Sequence, residues 1–382
     1  MNVLCLVSSQ PGHLDFGGMG YKRVAEAMRA RGHTVTWATA GAQTQRLQSA
    51  EFSVTEFEGV DDLSMWFVDR SIQTNALPRS VLQVLVNLRE LVSRGVDVVL
   101  CDRVLGLAAL ALAQTGTPYC AMGTPGGIWI QDTTGVRPEQ TPPWSYNAIG
   151  EAIKRMLGWH AGNLSSFWVN SPYLNVAFLG RNFYPDYSIQ REATVLVRHY
   201  GESVRAARDR IGLSFGNSGK PEALISVLGS LVERIEINVG LDVFVGNRDT
   251  LYEELSQTTR DSRVRVHRWV NFGEFFPHLH YLIFFGGVGT IWECICHSVP
   301  MAIIPDTIGD QRFNALSVQA LGMGTLLSPL VENGDAILKR LEVFERPDAF
   351  QSAIENFRAH RNYTDTIESL CNRIESLAKS GG

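Results

Sequence analysis

This chain lacks any excess of positive charge. Its 34 Lys and Arg stand against 39 Asp and Glu, for a formal net charge of -5, and no long basic run occurs. A nucleic-acid partner, whose phosphates demand clustered cations, is excluded on that ground. Long apolar runs are missing too: the longest, 104–113, falls far short of the roughly 20 residues that span a bilayer. Residues 1–7 have neither the positive n-region nor the long apolar core of a signal peptide, and read as a buried first strand retained in the mature protein. Cysteines are few and scattered (Cys5, Cys101, Cys120, Cys294, Cys296 and Cys371), several inside apolar runs, which argues against a disulfide framework and for a reducing cytoplasm. No Asp-x-Asp occurs anywhere, and chemistry without a metal or other cofactor is the expectation.

What is present is an α/β alternation long enough for two cores. At 382 residues the chain exceeds the roughly 250–300 at which a single core stops growing. In the first half, strands are predicted at 3–8, 34–39, 96–101, 118–122 and 167–170. Val24, Ala27 and Met28 give 21–31 a helical spacing that Gly32 terminates, and 81–92 reads as another helix. The polar run 203–210 and the turn-rich 211–219 mark a boundary. Beyond it, strands are predicted at 242–245, 264–269, 281–285, 301–304 and 325–327. The reading is a first domain over 1–202, a second over 203–348 and a helical tail over 349–382 that returns to the first domain. Segment 123–144, with Pro125, Gly126, Gly127, Pro138, Pro142 and Pro143, is either an acceptor-side wall or a surface loop.

One turn carries ligand chemistry. Phe284-Phe285-Gly286-Gly287-Val288-Gly289-Thr290 is an apolar strand, a glycine turn that lets backbone approach a ligand, and a helix start whose free N–H groups attract phosphate. Thr290 adds a hydroxyl, and Glu293, one turn on, can accept two bonds from ribose hydroxyls. A glycine-rich turn alone also fits simple helix-on-sheet packing. The longer pattern is more specific: after Gly286-Gly287-Val288-Gly289-Thr290-Ile291-Trp292-Glu293 come Ser298-Val299-Pro300, Pro305, Asp310-Gln311 and Asn314-Ala315. This order resembles the donor signature of family-1 glycosyltransferases of the GT-B fold. The resemblance implies two Rossmann-like domains, with parallel sheets facing across a cleft, and a nucleotide-sugar donor.

By the same resemblance Arg268-Trp269-Val270 would place Trp269 and Val270 at the nucleotide base. Ser214, Gly216 and Asn217 would reach the phosphates, and Asp310 and Gln311 would hold donor-sugar hydroxyls; Asp310 could equally cap its helix. Phe285 departs from the family, which has a phosphate-binding His there. Gly17-Gly18, in an insert after His13, either replaces that phosphate contact or reshapes the acceptor pocket. His13 matches the family's general base, since an imidazole with pKa near 6.5 can take the acceptor's proton. Asp102 matches its orienting partner, and could instead cap a helix beginning near 104. His33 is read as structural, and Cys294-Ile295-Cys296-His297 as packing rather than a metal site.

The function so implied is inverting, metal-independent transfer of a sugar from a UDP- or dTDP-sugar to a hydroxyl of a small secondary metabolite or lipid. Partners are that donor and acceptor, with no nucleic acid and no membrane segment, and a homodimer is compatible. Two alternatives stay open: a nucleotide-sugar epimerase or hydrolase on the same fold, and a non-catalytic GT-B binding or activator protein, for which Phe285 is the argument.

Overall fold

The computed structural model describes residues 1–9, 21–64, 79–123, 154–159, 171–178, 183, 194–197, 208–216, 221–234, 239–246, 248–268, 270, 272–305, 309–327, 339–345, 348–359 and 366–380. The chain divides into two compact units. One comprises Met1–Arg181, Asp186–His199 and Tyr363–Gly382, the other Asn182–Pro185 and Tyr200–Asn362.

The first unit is built on β1 (Asn2–Leu6), β2 (Thr34–Thr39), β3 (Ser53–Glu56), β4 (Val98–Asp102), β5 (Tyr119–Gly123), β6 (Leu174–Phe178) and β7 (Thr194–Val197). They form one sheet in the order β3-β2-β1-β4-β5-β6-β7, every pair parallel. Central strands of such a sheet are covered on both faces and so read as continuous apolar runs. In β1 Val3, Leu4, Cys5 and Leu6 are all buried, and in β4 all five residues are. Helix Arg79–Val92 packs on one face through Val81, Leu82, Val84, Leu85, Leu88 and Val92, a spacing of three and four that makes one apolar stripe. Each such burial contributes about 1.5–3 kcal/mol.

Helix Tyr21–Ala30 ends where Gly32 N–H bonds Arg29 O at 2.9 Å. Just beyond it, Arg31 donates to Asn372 Oδ1 (2.7 Å) and Glu375 Oε1 (3.1 Å), and His33 Nε2 lies 2.9 Å from the same carboxylate. His33, the structural histidine of the sequence, thus ties the C-terminal helix Ile367–Ser380 to the first unit. The other tail helix, Asp348–Ala359, lies in the second unit, so the chain rejoins the first at Tyr363 rather than at 349. β3, β6 and β7 were not among the predicted strands; β3 and β7 are the edges of the sheet, and β3 is largely exposed and carries no apolar run. The strand expected at 167–170 lies outside the described residues.

The second unit holds β8 (Arg210–Ser214), β9 (Gly240–Phe244), β10 (Val264–His267), β11 (Leu279–Phe284), β12 (Met301–Ile303) and β13 (Gly324–Leu326). Their order is β10-β9-β8-β11-β12-β13, again all parallel. Alternate residues Tyr281, Ile283 and Phe285 face one core with Leu213, Phe215, Val243 and Phe344.

One charge is buried in this sheet. The Asp242 side chain, 2% exposed, accepts from Arg210 at both oxygens and lies 2.8 Å from His267 Nε2. Arg210 reaches it across Gly240, where a Cβ would sit 2.1 Å from the guanidinium. Burial alone would raise the Asp242 carboxyl, but the bonds from His267 and Arg210 outweigh it and hold it below the usual carboxylate range. Its contribution is therefore complete above the unfolded-state value near 4 and is lost as pH falls through the folded value. Asp242→Ala is expected to lose about 3–5 kcal/mol in denaturant unfolding at neutral pH, because it strands buried cations. The difference from wild type should shrink on acidification below about pH 4.

Candidate active site

Parallel strands deliver all their carboxyl ends to one edge, and where strand order reverses, the connections leave on opposite faces and a crevice opens. That reversal falls between β1 and β4 in the first sheet and between β8 and β11 in the second. Leu6 pairs with Cys101, so Ser8 and Asp102 sit at the first crevice. Ser214 pairs with Phe284, so Ser214–Gly216 and the glycine turn sit at the second.

At the second crevice Gly286 takes φ 91°, and a Cβ there would meet Ile303 Cγ2 at 2.8 Å and Gln311 O at 3.1 Å. Gly287, in extended conformation, precedes helix Val288–His297, and a Cβ on it would meet nothing within 4 Å. The first turn's N–H groups therefore border open space at the positive end of a helix. Asn314 Nδ2 donates to Gly286 O at 3.0 Å, which fastens the turn to helix Gly309–Ala320. Gln311 is 4% exposed. Asp310 is the second residue of that helix. Arg248 Nε donates to the carbonyl of Gly216, whose φ is 53°.

Glu293 is half-buried, its Oε2 lying 3.5 Å from His297 Nε2 one turn on. Cys294 and Cys296 turn into the core, where burial first and the Glu293 charge second push the Cys294 thiol up. Ser298 stands where the resembling family has Gly. It adopts φ 54°, and Arg208 offsets that strain by donating to Ser298 O (2.8 Å) and His297 O (3.0 Å) at the helix C-terminus. Phe285 is corrected as a donor-facing residue: it is 5% exposed and packs in the core with Tyr281 and Ile283.

At the first crevice Asp102 is 1% exposed and accepts three bonds: from Ser8 N–H at 3.3 Å, Val104 N–H at 3.2 Å and the Tyr21 hydroxyl at 3.1 Å. Its bond to Val104 caps a turn, since the next helix begins only at Ala108. Beside it Asp61 receives Ser8 Oγ (2.7 Å), Ser9 N–H (3.0 Å) and the Ser9 hydroxyl. Arg103, 2% exposed, lays its stem over Gly123, where a Cβ would come within 3.1 Å of it.

Within the second unit Ser214 and the Gly286-Gly287 turn lie at the paired ends of β8 and β11, Gln311 lies against Gly286, Gly289, Thr290 and Glu293 lie on the helix that follows, and Val270 is half-buried on the segment after β10. His13, Gly17, Gly18, Asn217 and Trp269, and segment 124–144, lie outside the described residues. Sequence reasoning missed Ser8, Ser9, Tyr21, Asp61 and Arg103. The doublets Ser8-Ser9 and Asp61-Asp62 were visible, but their partners are more than 50 residues away and only the sheet order joins them. Gly286→Ala is expected to lower stability by about 1–3 kcal/mol, through positive φ and contact with Ile303 and the Gln311 backbone. Thermal unfolding reads that loss.

Residues 249–331, which contain this turn, match the family model of UDP-glucoronosyl and UDP-glucosyl transferase. No curated protein matches the chain by sequence. Among solved structures, the chain is similar to glycosyltransferase VinC in complex with dTDP, with TM-score 0.71 and 16% identity over 100% of both chains. It is similar to the spinosyn rhamnosyltransferase SpnG complexed with thymidine diphosphate, with TM-score 0.70 and 16% identity over 98% of this chain and 100% of that one. It is also similar to SnogD from Streptomyces nogalater, with TM-score 0.65 and 17% identity over 99% of both. At such identities the likeness shows the fold: the chain has the GT-B fold, and its residues 249–331 resemble the UDP-glucoronosyl and UDP-glucosyl transferase family.

Proposed function

We propose that the chain transfers a sugar from a UDP- or dTDP-sugar to a hydroxyl of a small secondary metabolite or lipid, with inversion and with His13 as general base. The observation that carries this reading is the glycine turn 286–289 at the β8/β11 crevice, inside the segment that matches the transferase family. Structural neighbours crystallised with thymidine diphosphate, and SpnG crystallised with spinosyn aglycone, favour a dTDP-sugar and an apolar aglycone as the first pair to test. The second unit is assigned the donor and the first the acceptor. Six buried cysteines that form no disulfide suit a cytoplasmic enzyme.

In this mechanism the acceptor oxygen attacks the anomeric carbon from the face opposite the diphosphate. Its proton passes to His13, and the bond to the phosphate oxygen breaks with its electron pair. The departing diphosphate is met by N–H groups at the start of helix Val288–His297, where preorganised dipoles act on the developing charge. Glu293 holds the ribose, Ser214, Gly216 and Asn217 border the phosphates, and Asp310 and Gln311 take hydroxyls of the sugar. Trp269 and Val270 face the base. Asp102 holds the imidazole and stabilises the imidazolium. The core packing of Phe285 removes one phosphate donor, and Gly17-Gly18 are assigned to replace it from the first unit.

Phe285 is also the observation that favours the second reading, a nucleotide-sugar binder without transfer. His13→Ala separates the two: transfer falls by 100-fold or more while calorimetric affinity for thymidine diphosphate persists. Retained transfer removes His13 as the base, and absence of affinity for UDP- and dTDP-sugars in the wild type leaves no donor site. Gly18→Val is expected to raise the donor KM about ten-fold, one charge-assisted bond being worth about 1.5–3 kcal/mol. An unchanged donor KM would assign the insert to the acceptor pocket instead.

A further inference from the structure

We propose that Tyr21 is a positioning residue for the transfer reaction, its buried hydroxyl holding the Asp102 carboxylate at the β1/β4 crevice. The inference rests on the reading of Asp102 as partner of the base.

Three donors reach Asp102, and two of them, Ser8 N–H and Val104 N–H, are backbone groups. Tyr21, wholly buried, supplies a side chain from a third element, the start of helix Tyr21–Ala30. Its hydroxyl also meets the carbonyl of Met122 at the end of β5. A phenol has one proton and here two acceptors. It can therefore yield Asp102 to a stronger partner and remain satisfied on Met122, so a change of charge beside Asp102 leaves no buried donor orphaned. Burial first, and the Asp102 charge second, push the Tyr21 phenol up, against a smaller lowering by Arg103, so it remains a proton donor through the neutral range. Cys101 adds to the rise and is itself buried with its thiol pushed up by burial and by Asp102.

Tyr21→Phe keeps the ring and removes the hydroxyl. It is compared with wild type and Asp102→Asn, using a dTDP-sugar and a phenolic aglycone that the wild type turns over, with thymidine diphosphate affinity and circular dichroism as controls. Tyr21→Phe is expected to lower kcat about ten-fold and leave the donor KM within about two-fold. The acid limb of kcat against pH should move upward, because a carboxylate with one donor fewer holds the imidazolium more firmly. A fall in kcat that merely follows the folded fraction, with the limb unmoved, overturns the proposal. Wild-type transfer by Asp102→Asn would sink the underlying reading of Asp102; loss in Asp102→Asn with an unchanged Tyr21→Phe would sink the inference alone. Should Tyr21→Phe fail to fold, 3-fluorotyrosine at position 21 retains the hydroxyl as a stronger donor. It must move the limb downward, and an unmoved limb again overturns the proposal.

Discussion

Every functional element described depends on the reversal of strand order in a wholly parallel sheet. Parallel pairing sends all carboxyl ends to one edge, and right-handed crossovers then place successive helices on opposite faces once the order turns back. The loops after the two central strands diverge, and backbone that would otherwise be covered borders solvent. In the first unit this happens after β1 and β4, which is why Ser8 and Asp102 meet although 94 residues separate them. In the second it happens after β8 and β11, where Ser214–Gly216 and Gly286-Gly287 come together. Apolar side chains from both faces of each sheet hold these edges rigid, so the chemistry rides on scaffolds whose cores contain none of it.

Two buried carboxylates show how position separates structure from chemistry. Asp242 and Asp102 are equally inaccessible, and each is hydrogen-bonded, as a charge removed from water must be. Asp242 lies within its strand and is matched by two side chains, Arg210 and His267, that can carry positive charge, a closed arrangement that spans three strands. Asp102 ends its strand at the crevice, where two amides and a phenol donate to it. Phe285 illustrates the reverse trade. A phosphate donor at that place would sit at the end of an alternating apolar face, and here the face simply continues into the core.

Much of this was legible in the residues. The continuous apolar runs of β1, β4 and β11 identify central parallel strands, and the spacing within 79–92 identifies a helix, because burial itself imposes those periods. The glycine turn was legible because few residues tolerate the φ of Gly286 against the helix that follows it. The edge strands β3 and β7 were not, since an edge has less to bury, and β3 forms no apolar run. Ser298 was legible only as a departure, and its left-handed backbone shows why another residue type usually stands there.

The sequence by itself determined local and one-dimensional properties: two α/β units, the order of their elements, the glycine turn with its helix, and the identity of Asp102 as a strand-terminal acid. These follow from periodicity and from backbone needs that act over a few residues. Tertiary structure alone decided the partners of each buried polar group: Tyr21 and Ser8 for Asp102, Ser8 and Ser9 for Asp61, Arg210 and His267 for Asp242, Asn314 for the Gly286 carbonyl. It also decided that Phe285 packs rather than binds. A hydrogen bond needs its partner within about 3 Å, and which distant residue arrives there is set by the order in which strands pair, information no single segment carries.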